Sequence, residues 1–272
     1  MEKSTTPLGR LLLDSYLNSL RGQSFSRETV SSRRRSLQSI DGAIGLQNAT
    51  PAAFETLADI RGWAPGTRYT YASNCALFFA WAVREQLVDH NPWEGIRRPR
   101  QPRYIPRPIT DGDLAVILQR VQGAVRAWAV LAAYAGLRRV EIVRVRGTDL
   151  VQTLTGHDLL IPRGKGDKPS SVPAHPLVVD LFRSAGDGHL FTTRTGKPYT
   201  PGHLGEIACH AFAGVGVKCG LHQLRHLFAT RLYAQTHDVY AVKRALRHDS
   251  IRSTEVYVEA DTSWIADAVL AL

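Results

Sequence analysis

The sequence RRPRQPRYIPRP occupies residues 97–108 and divides the chain into two parts. Repeated prolines without a repeating apolar pattern indicate an extended and fairly stiff segment. The chain has 272 residues, which exceeds the usual size of one compact domain. We therefore predict two domains, residues 1–96 and 109–272, with residues 97–108 as the linker between them.

The part of the chain before this linker has the apolar spacing of helices. Leu11, Leu12, Tyr16 and Leu20 recur at helical intervals, and a second helical segment opens after Ser26. Strand patterns are lacking in this part of the sequence. An all-helical first domain is therefore predicted.

Basic residues gather on two of these predicted helices. Arg33, Arg34 and Arg35 lie together in the second helical segment, and Arg68 and Tyr69 open a longer one. A run of arginines can form a solvated face, or it can lie along a phosphate backbone. The sequence leaves both interpretations open, and these five residues are the candidate DNA contacts of the first domain.

Beyond the linker, the pattern is mostly helical with one strand-rich region. A helix is predicted from about Asp111, and a buried helix runs through Trp128 to Leu137. Short strands with turn glycines are predicted within residues 149–172, and helices resume after Pro176.

The chain carries 34 Lys and Arg residues against 24 Asp and Glu residues, which gives a formal net charge of +10. This balance suits a polyanionic partner, and nucleic acid is the leading candidate. An anionic membrane surface is the competing one, but apolar stretches such as Ala127 to Leu137 are far shorter than the roughly 20 residues of a spanning helix. Residues 1–20 also lack a signal-peptide pattern. We expect a cytoplasmic protein with no membrane association.

The three cysteines are Cys75, Cys209 and Cys219, and they form no Cys-x-x-Cys pair. An odd number without that spacing argues against both a disulfide framework and a zinc ribbon. We expect three buried thiols.

The segment His222-Gln223-Leu224-Arg225-His226 falls on a predicted helix. At this spacing His222, Arg225 and His226 share one helical face. A zinc metalloprotease would need glutamate in place of Gln223, and Arg225 would repel a bound cation. Two interpretations remain, a core histidine beside a surface arginine or an active site that faces an anion.

Four features elsewhere in the chain bear on that choice and make five with the pair His222 and Arg225. In chain order, the five are the segment Gly136-Leu137-Arg138-Arg139-Val140-Glu141, the turn Gly164-Lys165-Gly166, the pair His222 and Arg225, the residue His248, and the ending Thr254-x-x-Tyr257. The turn alone reads as a hairpin, because it lacks the spacing of a phosphate-binding loop. In this order, the five together resemble the catalytic domain of the tyrosine recombinase (phage integrase) family, from about Pro106 to Val258.

A looser resemblance covers the first domain, which is similar to the helical core-binding domain of the same family in its two-domain, Xer-like form. It rests on Trp81-Ala82-Val83-Arg84-Glu85 and on the Asn91-Pro92 turn. The resemblance implies a fold that is mainly α with a small antiparallel β-sheet, in which an α+β catalytic domain follows the helical one.

The resemblance also implies the activity. A family member of this kind is a site-specific recombinase or integrase, which cleaves and rejoins DNA strands through a 3'-phosphotyrosyl intermediate without metal, ATP or other cofactor. Tyr257 would be the nucleophile, and Arg138 and Arg225 would hold the phosphate. His222 would accept the phenol proton.

The remaining family positions would assist. Lys165 would protonate the leaving hydroxyl, with Lys168 as the alternative, and His248 would hydrogen-bond the phosphate. Glu141 would hold Arg138 or His226 in place, although an ordinary surface ion pair is the other interpretation of its spacing.

This chemistry has a physical reason for these residue types. A phosphodiester repels a nucleophile, and its in-line transition state gathers further negative charge. A guanidinium stays charged at any working pH and meets two phosphate oxygens at once. Tyrosine has a pKa of about 10, so only roughly one phenol in a thousand is ionised at neutral pH and the nucleophile needs a neighbouring base or cations.

One position departs from the family pattern. The residue before the second histidine is usually glycine in the family, and this sequence has Arg247 there. Either Arg247 takes the backbone conformation that glycine normally takes, or its side chain adds a phosphate contact. The pattern does not choose between these alternatives.

The resemblance implies double-stranded DNA recombination sites as the partner and a homotetramer on that DNA. An apolar stripe at helical spacing near the C-terminus would dock on a neighbouring subunit, or fold back on its own core. It consists of Trp264, Ile265, Ala268, Val269 and Leu272. No additional arm-site domain is expected before the core-binding domain.

Two other functions compete. A type IB topoisomerase shares the tyrosine chemistry but works as a monomer, and the helical first domain and the tail disfavour it. A DNA-binding architectural protein would lack catalysis, and the presence of all the expected chemical residues argues against it.

Overall fold

The structure is a computed structural model that describes residues 7–95, 109–161, 170–248, 250–251 and 254. The chain divides into two compact units, Met1–Arg103 and Tyr104–Leu272. The predictions for the linker, for Lys165 and Lys168, for Tyr257 and for the C-terminal stripe fall outside the described residues. The predicted fold class, mainly α with a small antiparallel sheet, is confirmed.

The described part of the first unit is built from helices. They are α1 (Pro7–Gly22), α2 (Arg27–Ile44), α3 (Pro51–Ile60) and α4 (Pro65–Arg84). The Ser26 side chain accepts a hydrogen bond from the backbone N–H of Thr29, so α2 begins where the sequence predicts. Aromatic side chains join the helices, and Tyr16 of α1 packs edge-on against Phe78 of α4.

The second unit contains seven described helices and three strands. The helices are α5 (Asp111–Arg120), α6 (Gly123–Tyr134), α7 (Arg139–Ile142), α8 (Pro176–Asp180), α9 (Pro201–Gly214), α10 (Leu221–Thr236) and α11 (Val239–Leu246). The strands are β1 (Leu150–Thr153), β2 (Gly156–Ile161) and β3 (Ser170–Pro173). They form an antiparallel sheet in the order β1-β2-β3.

The central strand β2 sets the register of the sheet. Leu159 pairs with Leu150 of β1 on one side and with Val172 of β3 on the other. Leu159 and Ile161 are buried, and Leu160 between them is exposed, as the two-residue period of a strand requires. The sheet therefore packs one face on the core of the second unit.

Helix α6 lies at the centre of that core. Seven of its residues are buried, among them Trp128, and α6 packs against α5, α8, α9 and α10. Because α10 carries His222, Arg225 and His226, the central packing fixes the helix on which the candidate site is built. Helix α11 completes this side, since Val242 and Leu246 pack with residues of α10 in a small apolar cluster.

Thr110 caps the first helix of the second unit. Its hydroxyl accepts a hydrogen bond from the backbone N–H of Asp113, and the Asp113 carboxylate accepts one from the backbone N–H of Thr110. We expect Thr110→Ala to lower the free energy of unfolding by about 1 kcal/mol, because the N–H of Asp113 loses its acceptor. Urea titration of wild type and variant measures this difference, and an unchanged midpoint would contradict the prediction.

The cysteine prediction is wrong for one residue. Cys75 and Cys219 are buried as expected, and burial raises the pKa of each thiol to about 12. Cys209, however, is exposed, because it lies on the outward side of α9, next to buried Ala208.

Among the described helices, none is both long and apolar enough to cross a membrane.

Candidate active site

A tight turn at Gly136 brings the segment between α6 and α7 against α10 and α11. Gly136 has a φ of +60°, and a Cβ added there would lie 2.6 Å from the ring of Phe228 and 3.2 Å from Leu246. Only glycine fits both the backbone conformation and the space. The turn places Arg138 and Glu141 beside the residues of the two later helices.

Glu141 is the centre of the site, and its side chain is only 1% exposed. Its carboxylate accepts hydrogen bonds from Arg138, at 2.8 Å from Nη1 and 2.7 Å from the backbone N. It also lies 2.9 Å from Nη2 of Arg247 and 3.7 Å from Nη1 of Arg225. The carboxylate in the contact with Arg138 is therefore buried, unlike that of an ordinary surface ion pair.

The guanidinium groups change the protonation of this carboxyl. Burial by itself would raise the pKa of Glu141, but Arg247, Arg138 and Arg225 outweigh burial and hold that pKa below its usual value. Glu141 is therefore a carboxylate at neutral pH. We call Glu141 with Arg138, Arg225 and Arg247 the arginine cluster.

Backbone carbonyls hold the two arginines that the family pattern assigns to phosphate binding. Arg225 is 2% exposed and donates to the carbonyl of Gly136, and its Nη2 donates to the carbonyl of Leu246 at 2.7 Å. Nη2 of Arg138 donates to the carbonyls of Leu246 and Arg247, at 3.3 and 3.2 Å. The C-terminal end of α11 thus fixes both guanidinium groups relative to each other.

Arg247 takes the first of the two alternatives predicted for it. It ends α11 in the left-handed conformation, with φ 56° and ψ 47°, which is the region that glycine adopts most readily. Its guanidinium is turned inward onto Glu141 and the carbonyls of Gly136 and Ala245. The sequence did not predict these contacts, because its helical spacing relates only neighbours on one helix.

His248 lies between Arg225 and Thr254. Its Nε2 is 3.2 Å from Nη2 of Arg225, and its Nδ1 is 3.0 Å from the hydroxyl of Thr254. A guanidinium can only donate, so Nε2 of a neutral ring accepts from Arg225 and the N–H sits on Nδ1. This contact joins His248 to the arginine cluster.

His222 and His226 lie one turn apart on α10, with ring centroids 4.3 Å apart. His222 is exposed, but the surrounding protein partly desolvates the ring, and this effect, together with nearby Arg225, lowers the pKa of His222. His226 is buried, and burial together with the charges of His222 and Arg225 lowers the pKa of His226 to about 4. Both rings are therefore neutral at pH 7, and a neutral His222 can accept a proton.

The lowered pKa of His226 makes stability depend on pH. In the unfolded chain the ring takes up a proton near its ordinary pKa of 6.5, whereas in the folded chain it does so only near 4. The unfolded state binds more protons between these values, so the free energy of unfolding falls as the pH drops from 6.5 to 4, by roughly 3 kcal/mol. Denaturant titrations from pH 7 to 4 measure this loss.

A variant isolates the contribution of this ring. His226→Gln cannot titrate, so its free energy of unfolding is expected to change less with pH inside the same window. His222 also has a lowered pKa and adds to the pH dependence below pH 6.5, so the difference between the two profiles reports His226. Glu141 has a shifted pKa too, but its stabilising charge is lost only as the pH falls below its usual value of 4.5. Equal pH profiles for wild type and His226→Gln between pH 6.5 and 5 would contradict the assignment.

The structure thus brings Arg138, Glu141, Arg225 and His248 together. His222 is exposed on α10, the helix that also carries Arg225. Lys165 and Tyr257 are not among the described residues. Among those that are, no group of His, Cys, Asp and Glu side chains could hold a metal ion.

In the first unit, some of the residues predicted to bind DNA make contacts within the unit itself. Arg33 donates to the Tyr16 hydroxyl at 2.8 Å and lies over the Phe25 ring. Arg34 forms a 3.5 Å ion pair with Asp14, and Arg35 is exposed.

Arg68 has several partners within the first unit. Its Nη2 lies 2.7 Å from Asp59, its Nη1 lies 3.2 Å from Glu55, and its Nε donates to the carbonyl of Trp63. Tyr69, next to it, is partly exposed. Arg68 therefore fixes the start of α4 against α3.

Comparison with known proteins relates the chain to one family. Residues 114–263 match the model described as the phage integrase family. The chain is 30% identical to a tyrosine recombinase XerC of Chromohalobacter salexigens, over 94% of this chain and 93% of the relative. It is also 30% identical to a tyrosine recombinase XerC of Escherichia coli, over 70% and 68% of the two chains.

Solved structures share the fold. A lambda integrase (75–356) dimer bound to a COC' core site matches with a TM-score of 0.73 and 16% identity, over 91% of this chain and 94% of that one. A XerH recombinase bound to a palindromic difH substrate matches with a TM-score of 0.71 and 20% identity, over 94% and 83%.

Proposed function

Because this chain belongs to the phage integrase family and is thus a tyrosine-type site-specific DNA recombinase, we propose that Tyr257 attacks a phosphate held by Arg138 and Arg225. The family acts through a covalent tyrosine intermediate, and it typically uses neither a metal ion nor ATP. Cleavage and rejoining of DNA strands is therefore the activity, and the roles of individual residues are the proposal.

The arginine cluster is the observation that carries this proposal. Arg138 and Arg225 come from positions far apart in the sequence, yet both donate to the carbonyl of Leu246. Guanidinium groups fixed in advance stabilise developing negative charge without reorganising during the reaction. This rigidity is what a phosphoryl-transfer site requires, because catalysis there rests on positioning and charge.

The remaining residues of the family pattern would transfer the protons or hydrogen-bond the phosphate. Attack by Tyr257 forms the phosphotyrosyl bond, breaks the bond from phosphorus to the 5' oxygen and transfers the phenol proton to a base. His222 is suited to be that base, since its lowered pKa keeps the ring neutral. Lys165, or Lys168 in its place, would protonate the departing 5' oxygen. His248, held beside Arg225, would hydrogen-bond the phosphate by carrying its N–H on Nε2 in the DNA complex, where the phosphate would replace the contact of this nitrogen with Arg225.

The partner follows from the same family. The solved lambda integrase and XerH structures are complexes with DNA, and one lambda integrase structure is a tetramer bound to a Holliday junction. We propose that this chain likewise assembles as a homotetramer on two recombination sites, with the C-terminal stripe docking between subunits. Cytoplasmic location belongs to the same proposal.

The first domain is proposed to contact DNA as well. Within residues 1–96, Arg35 is the best placed of the predicted residues, because it is exposed on α2. Arg34 and Tyr69 are partly exposed and would add to this surface. Arg33 and Arg68 would act mainly by fixing the helices, given their contacts within the domain.

A covalent adduct tests the function. The protein first selects its preferred sequence from a pool of random duplexes. Duplexes with that sequence, each nicked at a different position, are then incubated with the protein so that the cut strand end diffuses away and cleavage is trapped. We expect a protein–DNA adduct on at least one of them, with mass spectrometry placing the modification on Tyr257.

The controls separate the competing functions. A duplex of scrambled sequence should give no adduct. If no nicked duplex yields an adduct, the chain is a DNA-binding protein without catalysis. Recombined joint molecules from two intact sites support the recombinase, whereas relaxation of supercoiled DNA without joint molecules would support a topoisomerase.

A further inference from the structure

Arg247 occupies a position with two unusual properties. Its backbone has a positive φ of 56°, and its side chain is only 6% exposed although it carries a full positive charge. A left-handed residue at a helix end is usually glycine or asparagine. The family pattern also has glycine at this position, so an arginine here needs a physical explanation.

The side chain of Arg247 links three segments of the second unit. Nη2 donates to the carbonyl of Gly136 and lies equally close, at 2.9 Å, to the carboxylate of Glu141. Nη1 donates to the carbonyl of Ala245 at 2.8 Å. Arg247 therefore ties the turn before α7 and the first turn of α7 to the end of α11.

These acceptors are the ones that hold the proposed phosphate-binding arginines. Gly136 also accepts from Arg225, and Glu141 also accepts from Arg138. The backbone carbonyl of Arg247 in turn accepts from Nη2 of Arg138. The contacts of the Arg247 guanidinium with Gly136, Glu141 and Ala245 all point inward, which differs from a side chain that would meet DNA directly.

We propose that Arg247 is a positioning residue, which holds Glu141 and the Gly136 carbonyl so that Arg138 and Arg225 meet the phosphate in a fixed geometry. This inference rests on the proposed function. It assigns to Arg247 an effect on the rate of cleavage and none on the binding of DNA.

The contacts of the Arg247 side chain explain why its loss would disturb the positions of Arg138 and Arg225. Without the Arg247 side chain, one oxygen of Glu141 loses the donor that lies 2.9 Å away. The Gly136 carbonyl also loses one of its two arginine donors and keeps only Arg225. The guanidinium groups of Arg138 and Arg225 then gain freedom to move. A displacement of this kind costs rate strongly, because phosphoryl transfer depends on the alignment of the reacting atoms.

Arg247→Gly is the decisive variant, since glycine adopts the same φ and only the side chain is lost. On the nicked duplex that gives the adduct, we expect the single-turnover cleavage rate at saturating DNA to fall by on the order of tenfold or more, the scale seen for partners that orient functional groups elsewhere. The dissociation constant for the same duplex is expected to stay within about twofold. Arg247→Lys should recover part of the rate, because an ammonium can reach Glu141 but cannot serve all three acceptors.

Arg244→Ala is the matched control. Arg244 is an exposed arginine on the same helix, so its loss removes the same charge without touching Glu141. We expect wild-type cleavage at saturating DNA from this variant. Melting curves establish whether each variant is folded at the assay temperature. If Arg247→Gly is unfolded, the comparison is made between Arg247→Lys and wild type.

The outcomes separate the two claims. If wild type forms no adduct on any nicked duplex, the proposed function fails. If wild type forms the adduct and folded Arg247→Gly cleaves at the same rate, Arg247 is only a substitute for glycine and the inference is overturned. A weaker dissociation constant with an unchanged saturating rate would overturn it too, since Arg247 would then contact DNA.

Discussion

Glu141→Gln is expected to lower the free energy of unfolding by about 3 to 5 kcal/mol. The substitution keeps the shape of the side chain but removes the negative charge around which Arg138, Arg225 and Arg247 are packed. The three guanidinium groups then repel one another in a buried site, and the new amide N–H₂ faces donors instead of acceptors. Equilibrium unfolding in urea at pH 7 measures the difference.

A surface pair provides the control for this prediction. Asp180 and Arg183 have the same i,i+3 spacing and the same 2.8 Å distance as Glu141 and Arg138, but their side chains are 51% and 78% exposed. Asp180→Asn is expected to change the free energy of unfolding by less than about 1 kcal/mol. If Glu141→Gln costs no more than Asp180→Asn, the arginine cluster does not depend on its carboxylate.

Arg225→Lys is expected to slow DNA cleavage by on the order of a hundredfold or more, even though the charge is kept. An ammonium cannot donate to the carbonyls of Gly136 and Leu246 and present a planar fork to two phosphate oxygens at the same time. Single-turnover cleavage of the nicked duplex at saturating DNA measures the rate. The loss is expected in this rate, because the preorganised donor acts mainly on the transition state.

Arg231→Lys is the corresponding control on the same helix. Arg231 lies further along α10 and pairs with Asp111, whose side chain is 74% exposed. Its conservative replacement should leave the cleavage rate within about twofold of wild type. Equal rates for Arg225→Lys and wild type would remove Arg225 from the proposed chemistry.

Local patterns predicted much of the fold. The hydroxyl of Ser26 and the capping box of Thr110 mark the starts of α2 and α5, and both helices begin within one residue of the expected place. The predicted buried helix through Leu137 instead ends at Tyr134, because Gly136 turns the chain with a positive φ. A glycine in an apolar run does not reveal by itself whether it continues a helix or ends one.

The sequence named candidate site residues but not the contacts that join them. Helical spacing placed His222 and Arg225 on one face, and the family pattern supplied Arg138 and His248. The inward turn of Arg247 joins residues 106 and 111 positions apart in the sequence, and no spacing rule relates them. Likewise, a run of arginines could not show that Arg33 bonds Tyr16 within the domain.

The arginine cluster also has a consequence for electroneutrality. Three guanidinium groups and the carboxylate of Glu141 together leave a local surplus of two positive charges. A phosphodiester bound beside them would cancel one of these, and the second negative charge arrives only when a phenolate adds to phosphorus. Because the phenol proton would move to His222, outside the cluster, the negative charge at the phosphate would balance the surplus of the arginine cluster in the transition state and not in the bound substrate. This is the condition for accelerating a reaction instead of merely retaining its reactant.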